Sequence, residues 1–191
     1  MRWLTLYARS RRVPASLAAV LLSAVAVWAL ARIGGGGPGD PRLATLVLTA
    51  GATALSVGLG GQELGLDRTA AVRWMPRRAA HVLLGGALIA AVLLAVRTMS
   101  GQPAEAAFVV RNSAGLMGLA AFGAASCGWR HAWIPPFAWP SPSFVVPAAP
   151  DAATQALTRM LLSPGTAAAT WTALVLAVAG TATHAAGGPR R

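Results

Sequence analysis

The feature that most constrains this chain is a succession of long apolar runs joined by short, arginine-bearing connections. An α-helix needs about 20 mainly apolar residues to cross a bilayer, and several runs approach that length. Hydrophobic residues make up 55% of the 191 residues and charged residues only 11%, which leaves little material for a soluble domain. The sequence therefore predicts one all-α polytopic membrane domain.

The apolar runs predict six transmembrane helices, at residues 13–33, 43–60, 79–96, 107–128, 133–146 and 165–186. Four prolines interrupt the fifth run, so we expect this span to be broken or tilted. A short interfacial helix is predicted over residues 1–12, with a flexible basic leader as the alternative. A cleaved signal peptide is the alternative for the first span, although its apolar region is longer than that of a typical signal.

The net charge of +11 comes from 16 basic residues, all of them arginine, a bias typical of a high-GC bacterial genome. With six spans, eleven arginines fall on the side of the two termini, and four fall on the opposite side, namely Arg32, Arg42, Arg97 and Arg159. The sixteenth, Arg111, lies within a span. The positive-inside rule then predicts a bacterial cytoplasmic (inner) membrane protein with both termini in the cytoplasm. The charge follows the helix ends and does not indicate nucleic-acid binding.

The longest polar connection is GQELGLDRTAAVRWMPRRAA, at residues 61–80. Asp67 can cap the start of a short cytoplasmic helix, and Pro76 can end it and begin the next helix. The apolar face of such a helix would carry Leu66, Ala70 and Trp74. Three arginines lie off that face: Arg68, Arg73 and Arg77. Two interpretations remain open, a docking surface for a soluble partner and a basic loop that only fixes topology.

Two polar residues, Arg111 and Asn112, fall inside the fourth predicted span. An arginine within a membrane is costly and is a candidate functional residue. Arg111 lies about one turn inside the span, so it can also reach the outer interface or pair with Glu105. We expect it to face the protein interior or the interface rather than lipid. A short outer amphipathic helix is predicted at residues 151–162, with Asp151 as its cap.

No catalytic constellation is evident in the sequence. The three histidines lie in separate segments without metal-binding spacing, and Cys127 is the only cysteine. The chain also lacks a P-loop. We therefore predict no catalytic residues, no metal site and no cofactor, and we expect ATP hydrolysis, if it is involved, to come from a partner.

The layout resembles the membrane subunit of ABC-2 type ABC transporters. Residues 1–12, 61–80 and 151–162 stand where that family has its elbow helix, its coupling helix and its outer helical segment. The stretch LDRTAAVRWMPRRAAHVLL is similar to the family's short helix, proline and arginine before the third span.

The resemblance implies a permease subunit of an exporter that pairs with a second permease chain or a copy of itself. A cytosolic ATP-binding subunit would dock on the coupling helix at Asp67, Arg68, Arg73, Trp74 and Arg77. The alternative is a non-transporting membrane scaffold that binds partner helices through its small-residue faces.

Overall fold

The computed structural model describes residues 40–60, 74–99, 105–147 and 150–189, together with positions 18, 20–22, 25 and 29. These isolated positions are helical, and the rest of the predicted first span lies outside the described residues. The predicted interfacial helix at residues 1–12 and the loop of residues 61–73 also lie outside them. The described part of the chain is helical and contains no strand.

Seven α-helices are described: α1 (Pro41–Ser56), α2 (Trp74–Met99), α3 (Ala106–Ser126), α4 (Ile134–Ala138), α5 (Ser141–Val145), α6 (Ala152–Leu157) and α7 (Ala167–Gly187). Two short 3₁₀ helices follow α1 and α3, at Val57–Leu59 and Trp129–His131. Among the described residues, three segments are long and apolar enough to cross a membrane: Pro41–Leu59, Trp74–Thr98 and Ala106–Ser126. The all-α prediction with membrane-length helices is confirmed to this extent, and six spans remain a prediction.

The long helices α1, α3 and α7 run in one direction, and α2 runs in the other. Thr45 near the start of α1 and Asn112 near the start of α3 both donate to the carbonyl of Met160, shortly before α7 begins. Gly51 lies against Ile89, whereas Gly85, earlier in α2, lies close to the later residue Leu55 of α1. The bundle therefore has two ends, and the starts of α1, α3 and α7 share one of them.

The central helix is α3, which packs against α1, α2 and α7. Its closest neighbour is α7, at Gly118 and Gly180. A Cβ at Gly180 would fall on the carbonyl of Gly118, and one at Gly118 would lie 2.6 Å from the Cα of Ala177. Because backbone meets backbone here, no rotamer change can make room for a side chain, so small residues hold the two helices together.

Two predicted helix boundaries are wrong. Helix α2 begins at Trp74, so Pro76 lies inside its first turn and does not separate Trp74 from the long helix. Proline is tolerated there because a first-turn N–H has no intrahelical partner. Helix α6 ends at Leu157, short of the predicted residue 162, and turns occupy residues 158–161. The fifth apolar run is broken as expected, since α4 and α5 are separated around Pro140.

Large apolar side chains are exposed on several outer faces of the bundle. Leu84 on α2, Trp171 on α7 and Val145 on α5 are 69%, 65% and 81% exposed. A protein surrounded by water rarely exposes so much apolar surface on long helices. These faces suit contact with lipid or with the helices of another chain.

Candidate functional site

Arg111 fastens the turn that connects α6 to α7. Its Nη1 donates to the carbonyl of Ser163 at 2.9 Å, and its Nη2 donates to those of Leu162 at 2.7 Å and Arg159 at 3.1 Å. The Arg111 side chain is buried, whereas Glu105 is exposed. Arg111 therefore faces the protein interior and takes backbone carbonyls as its hydrogen-bond partners.

Asn112 and Thr45 hold the same turn at a fourth carbonyl. The Met160 oxygen accepts from Asn112 Nδ2 at 3.1 Å and from Thr45 Oγ1 at 3.2 Å. Both donor side chains are fully buried. An irregular turn leaves carbonyls without helical partners, and within an apolar surrounding these must be satisfied by the protein. The two polar residues predicted inside the fourth span thus serve one turn.

Arg159 lies within this turn and is the largest fully buried side chain among the described residues. Its guanidinium lies against Gly115, where a Cβ would be 2.7 Å from Nη2. Its three side-chain nitrogens have no hydrogen-bond partner in the described part of the chain. Burial is the main cause, and the positive charge of Arg111 the second, that lowers the pKa of Arg159 to about 10.

Two of the three described carboxylates near this end of the bundle are engaged elsewhere, and the third, Glu105, is exposed and is hydrogen-bonded to neither arginine. Asp40 accepts from the Arg42 backbone N–H at 2.8 Å and caps α1, and Asp151 accepts from that of Thr154 at 2.8 Å and caps α6. The prediction that Asp151 is a cap is confirmed. No described carboxylate is hydrogen-bonded to Arg111 or Arg159. We call these two side chains the buried arginine pair.

Sequence reasoning identified Arg111 and Asn112 but missed Arg159, which was expected to be one of four charges in the outer segments. The sequence does not indicate which groups the buried arginines contact. The acceptors of Arg111 lie 48 to 52 positions later in the chain. The one local hint is Gly115, which lies one turn after Arg111 and leaves space for a large side chain on that face of α3.

The opposite end of the bundle carries the described part of the predicted docking helix. Arg77 lies over the ring of Trp74, with 5.7 Å from its Cζ to the ring centroid. Arg78 lies against Gly188, at the end of α7, where φ is +69°. Trp74 is half-buried and Arg77 is exposed. Asp67, Arg68 and Arg73 lie outside the described residues.

A second exposed arginine at this end has the same kind of partner. Arg130 lies 5.6 Å from the ring of Trp129, and that ring in turn lies against Gly60 after the first 3₁₀ helix. We call this region, with Trp74, Arg77, Arg78, Trp129 and Arg130, the tryptophan end.

Within the described residues, no group of three His, Cys, Asp or Glu side chains is arranged to bind a metal ion. The chemistry available is charge recognition by guanidinium groups at one end and aromatic contact at the other. No protein-family model, no curated protein and no solved structure matches this chain.

Proposed function

We propose that this chain is the membrane-spanning permease subunit of an exporter that is driven by a separate cytosolic ATPase. The observation that carries the proposal is the contact between Arg78 near the start of α2 and Gly188 at the end of α7. Arg78 belongs to the predicted docking loop of residues 61–80. A force applied to that loop would therefore reach two long helices at once.

The path continues to the far end of the bundle. Helix α2 is 26 residues long and carries a displacement as one rigid element. Helix α7 is held to α3 by the backbone contact of Gly118 with Gly180, and it begins just after the turn that Arg111 fastens. Closure of an ATPase dimer on the cytoplasmic side could thus tilt α2 and α7 and rearrange the outer end.

The exposed apolar faces support pairing with a second permease chain or a second copy. On α7 the exposed residues Trp171, Val175 and Val178 follow helical spacing and form one stripe. A transport pathway for a substrate would then be built between two such bundles in the membrane.

The described residues offer the scaffold alternative few free small-residue faces. It requires free small-residue faces, but Gly51, Gly85, Gly118 and Gly180 are each in close contact with another helix of the same chain. A scaffold would have to bind partner helices through larger, less closely packing side chains. This observation favours the permease subunit over the scaffold.

The test is recovery of the ATPase with tagged chain purified in mild detergent, scored by ATP hydrolysis and by the amount of the ATP-binding subunit. Trp74→Ala should reduce recovery by roughly 30-fold or more if Trp74 is an interface anchor. Arg77→Ala should have a smaller effect that grows weaker at high salt. Trp133→Ala is the matched control, since this tryptophan is 45% exposed and lies outside both the docking helix and the α7 stripe.

The proposal fails if no ATP-hydrolysing protein is recovered with the wild-type chain. It also fails if wild type and Trp74→Ala recover it equally while both variants insert and unfold normally. In the second case Trp74 would serve only as an interfacial anchor, as tryptophan often does at the edge of a membrane.

A further inference from the structure

We infer that the buried arginine pair binds a phosphate group at the end of the bundle where α1, α3 and α7 begin. The inference does not depend on the proposed ATPase coupling. It starts from the one described arginine that is fully buried and whose guanidinium has no hydrogen-bond partner in the described chain, Arg159.

An unpaired buried guanidinium is unfavourable. Removing a charge from water is strongly unfavourable unless a counter-charge and hydrogen bonds compensate for it. Arg111 adds a second positive charge beside Arg159, whose backbone carbonyl it contacts at 3.1 Å. The exposed Glu105 attracts Arg111 only through its charge, and no described carboxylate is hydrogen-bonded to either side chain. The unused donors of the pair therefore have no anionic partner among the described residues.

The pair retains unused donors. Nε, Nη1 and Nη2 of Arg159 and Nε of Arg111 are buried and have no partner among the described residues. The remaining donors of Arg111 are fixed on the carbonyls of the turn, so its orientation is set before any ligand arrives. The flat Arg159 guanidinium lies against the bare backbone of Gly115, with a fork geometry that matches two oxygens of one phosphate.

The depth of the pair favours phosphate over other oxyanions. It lies near the starts of α1 and α3, two helices of membrane-spanning length, where phospholipid headgroups are expected. Two exposed apolar side chains are next in sequence to residues that contact the turn: Leu46 follows Thr45, and Val110 precedes Arg111. Both can contact acyl chains. A phosphate can also come from solution, and the two sources share the same recognition chemistry.

Binding requires a small opening of the turn, because Arg159 is fully covered in the structure. The turn is held to α1 and α3 through its carbonyls, by Arg111, Asn112 and Thr45. These bonds leave the Arg159 side chain itself without a hydrogen-bond partner, so it can reorient toward an arriving phosphate once the turn opens.

The test measures thermal unfolding of the purified chain in a maltoside detergent. One arm adds inorganic phosphate and compares it with sodium chloride and sodium acetate at equal ionic strength. The other adds dioleoylphosphatidylglycerol and compares it with the same fraction of dioleoylglycerol, which has the same chains without the phosphate. At 100-fold excess over its Kd, a bound ligand should raise the midpoint by about 5–10 °C.

Arg159→Met should abolish this rise, and Arg42→Met, which removes an exposed arginine at the same end, should keep it. A rise with the phospholipid alone supports a headgroup site, and a rise with inorganic phosphate as well supports a site open to solution. The inference is overturned if neither raises the wild-type midpoint, if acetate acts equally, or if Arg159→Met still responds.

If Arg159→Met does not fold, Arg159→Lys decides the question. Lysine keeps the charge but loses the planar fork, so phosphate affinity should fall by roughly tenfold. Unchanged affinity in Arg159→Lys would contradict a guanidinium-specific site.

Discussion

The two ends of the bundle use the same residue type in opposite ways. At one end, Arg111 and Arg159 are buried, and Arg111 donates to three backbone carbonyls. At the tryptophan end, Arg77 and Arg130 are exposed and lie over indole rings at 5.7 and 5.6 Å. An exposed arginine over an aromatic ring keeps its hydration and gains a modest attraction, whereas a buried one must find acceptors within the protein.

The difference shows what a count of arginines can and cannot measure. Topology was predicted by counting eleven arginines on one side and four on the other, as if each were a surface charge. Arg159 is one of the four, yet it is fully buried. Leaving it out keeps the asymmetry in the same direction, so the predicted orientation does not depend on it. Its chemistry, however, belongs to the interior of the protein.

The largest expected effect comes from Arg111→Leu, which removes the hydrogen bonds of Arg111 at the buried end and leaves the tryptophan end unchanged. Three carbonyls of the turn would lose their donor while remaining buried, so the free energy of unfolding should fall by about 3–5 kcal/mol. Insertion should not be blocked, because leucine is favourable in a membrane. Denaturation with sodium dodecyl sulfate in mixed micelles measures the change.

Arg130→Leu is the control for that experiment, at the tryptophan end. It removes one exposed cation–π contact and should cost no more than about 1 kcal/mol. Equal losses in the two leucine variants would mean that the two ends handle arginine alike, against the comparison drawn from the structure.

A smaller loss of unfolding free energy is expected from Gly180→Ala, which tests the close contact between α3 and α7. The new Cβ would meet the Gly118 carbonyl, and the helices must separate, at a cost of about 1–3 kcal/mol. The same denaturation assay measures it. Gly187→Ala is matched in helix and chemistry but has open space around the added carbon, so its stability should stay close to that of wild type.

The smallest effect concerns pH and Asp151, at the edge of the buried end. The backbone N–H of Thr154 is the main cause that lowers the Asp151 pKa below its ordinary value of 3.8. A lowered carboxyl pKa means stabilisation that is complete above 3.8 and is lost as the pH falls through the lower, folded-state value. Wild type should therefore lose stability relative to Asp151→Asn as the pH falls below 3.8, since asparagine also caps helices but does not titrate. Parallel curves for the two proteins would show that this cap does not contribute.

Elements governed by local rules could be predicted from the sequence. The long apolar helices and the Asp151 cap depend on residues that are near each other in the chain, so periodicity and capping preferences identify them. Pro76 was misplaced because proline suits the first turn of a helix as well as its end, and the local sequence does not choose between them.

The buried end depends on contacts that no local rule contains. Arg111 was recognised as unusual, but its acceptors are carbonyls of a turn whose shape exists only after α7 has packed on α3. Arg159 was taken as a loop charge because nothing beside it in the sequence marks it as buried. Non-local carbonyl acceptors leave no residue-type pattern, since every residue has one.

The spacing of Arg111 and its acceptors also bears on how the protein is made. Ser163 is synthesised 52 residues after Arg111. At translation speeds of 5–20 residues per second, about 3–10 s pass between the two. During that interval the nascent segment of α3 carries a charge whose final carbonyl partners do not yet exist. Burial of this charge in its final hydrogen bonds must therefore wait for synthesis of the turn at residues 159–163.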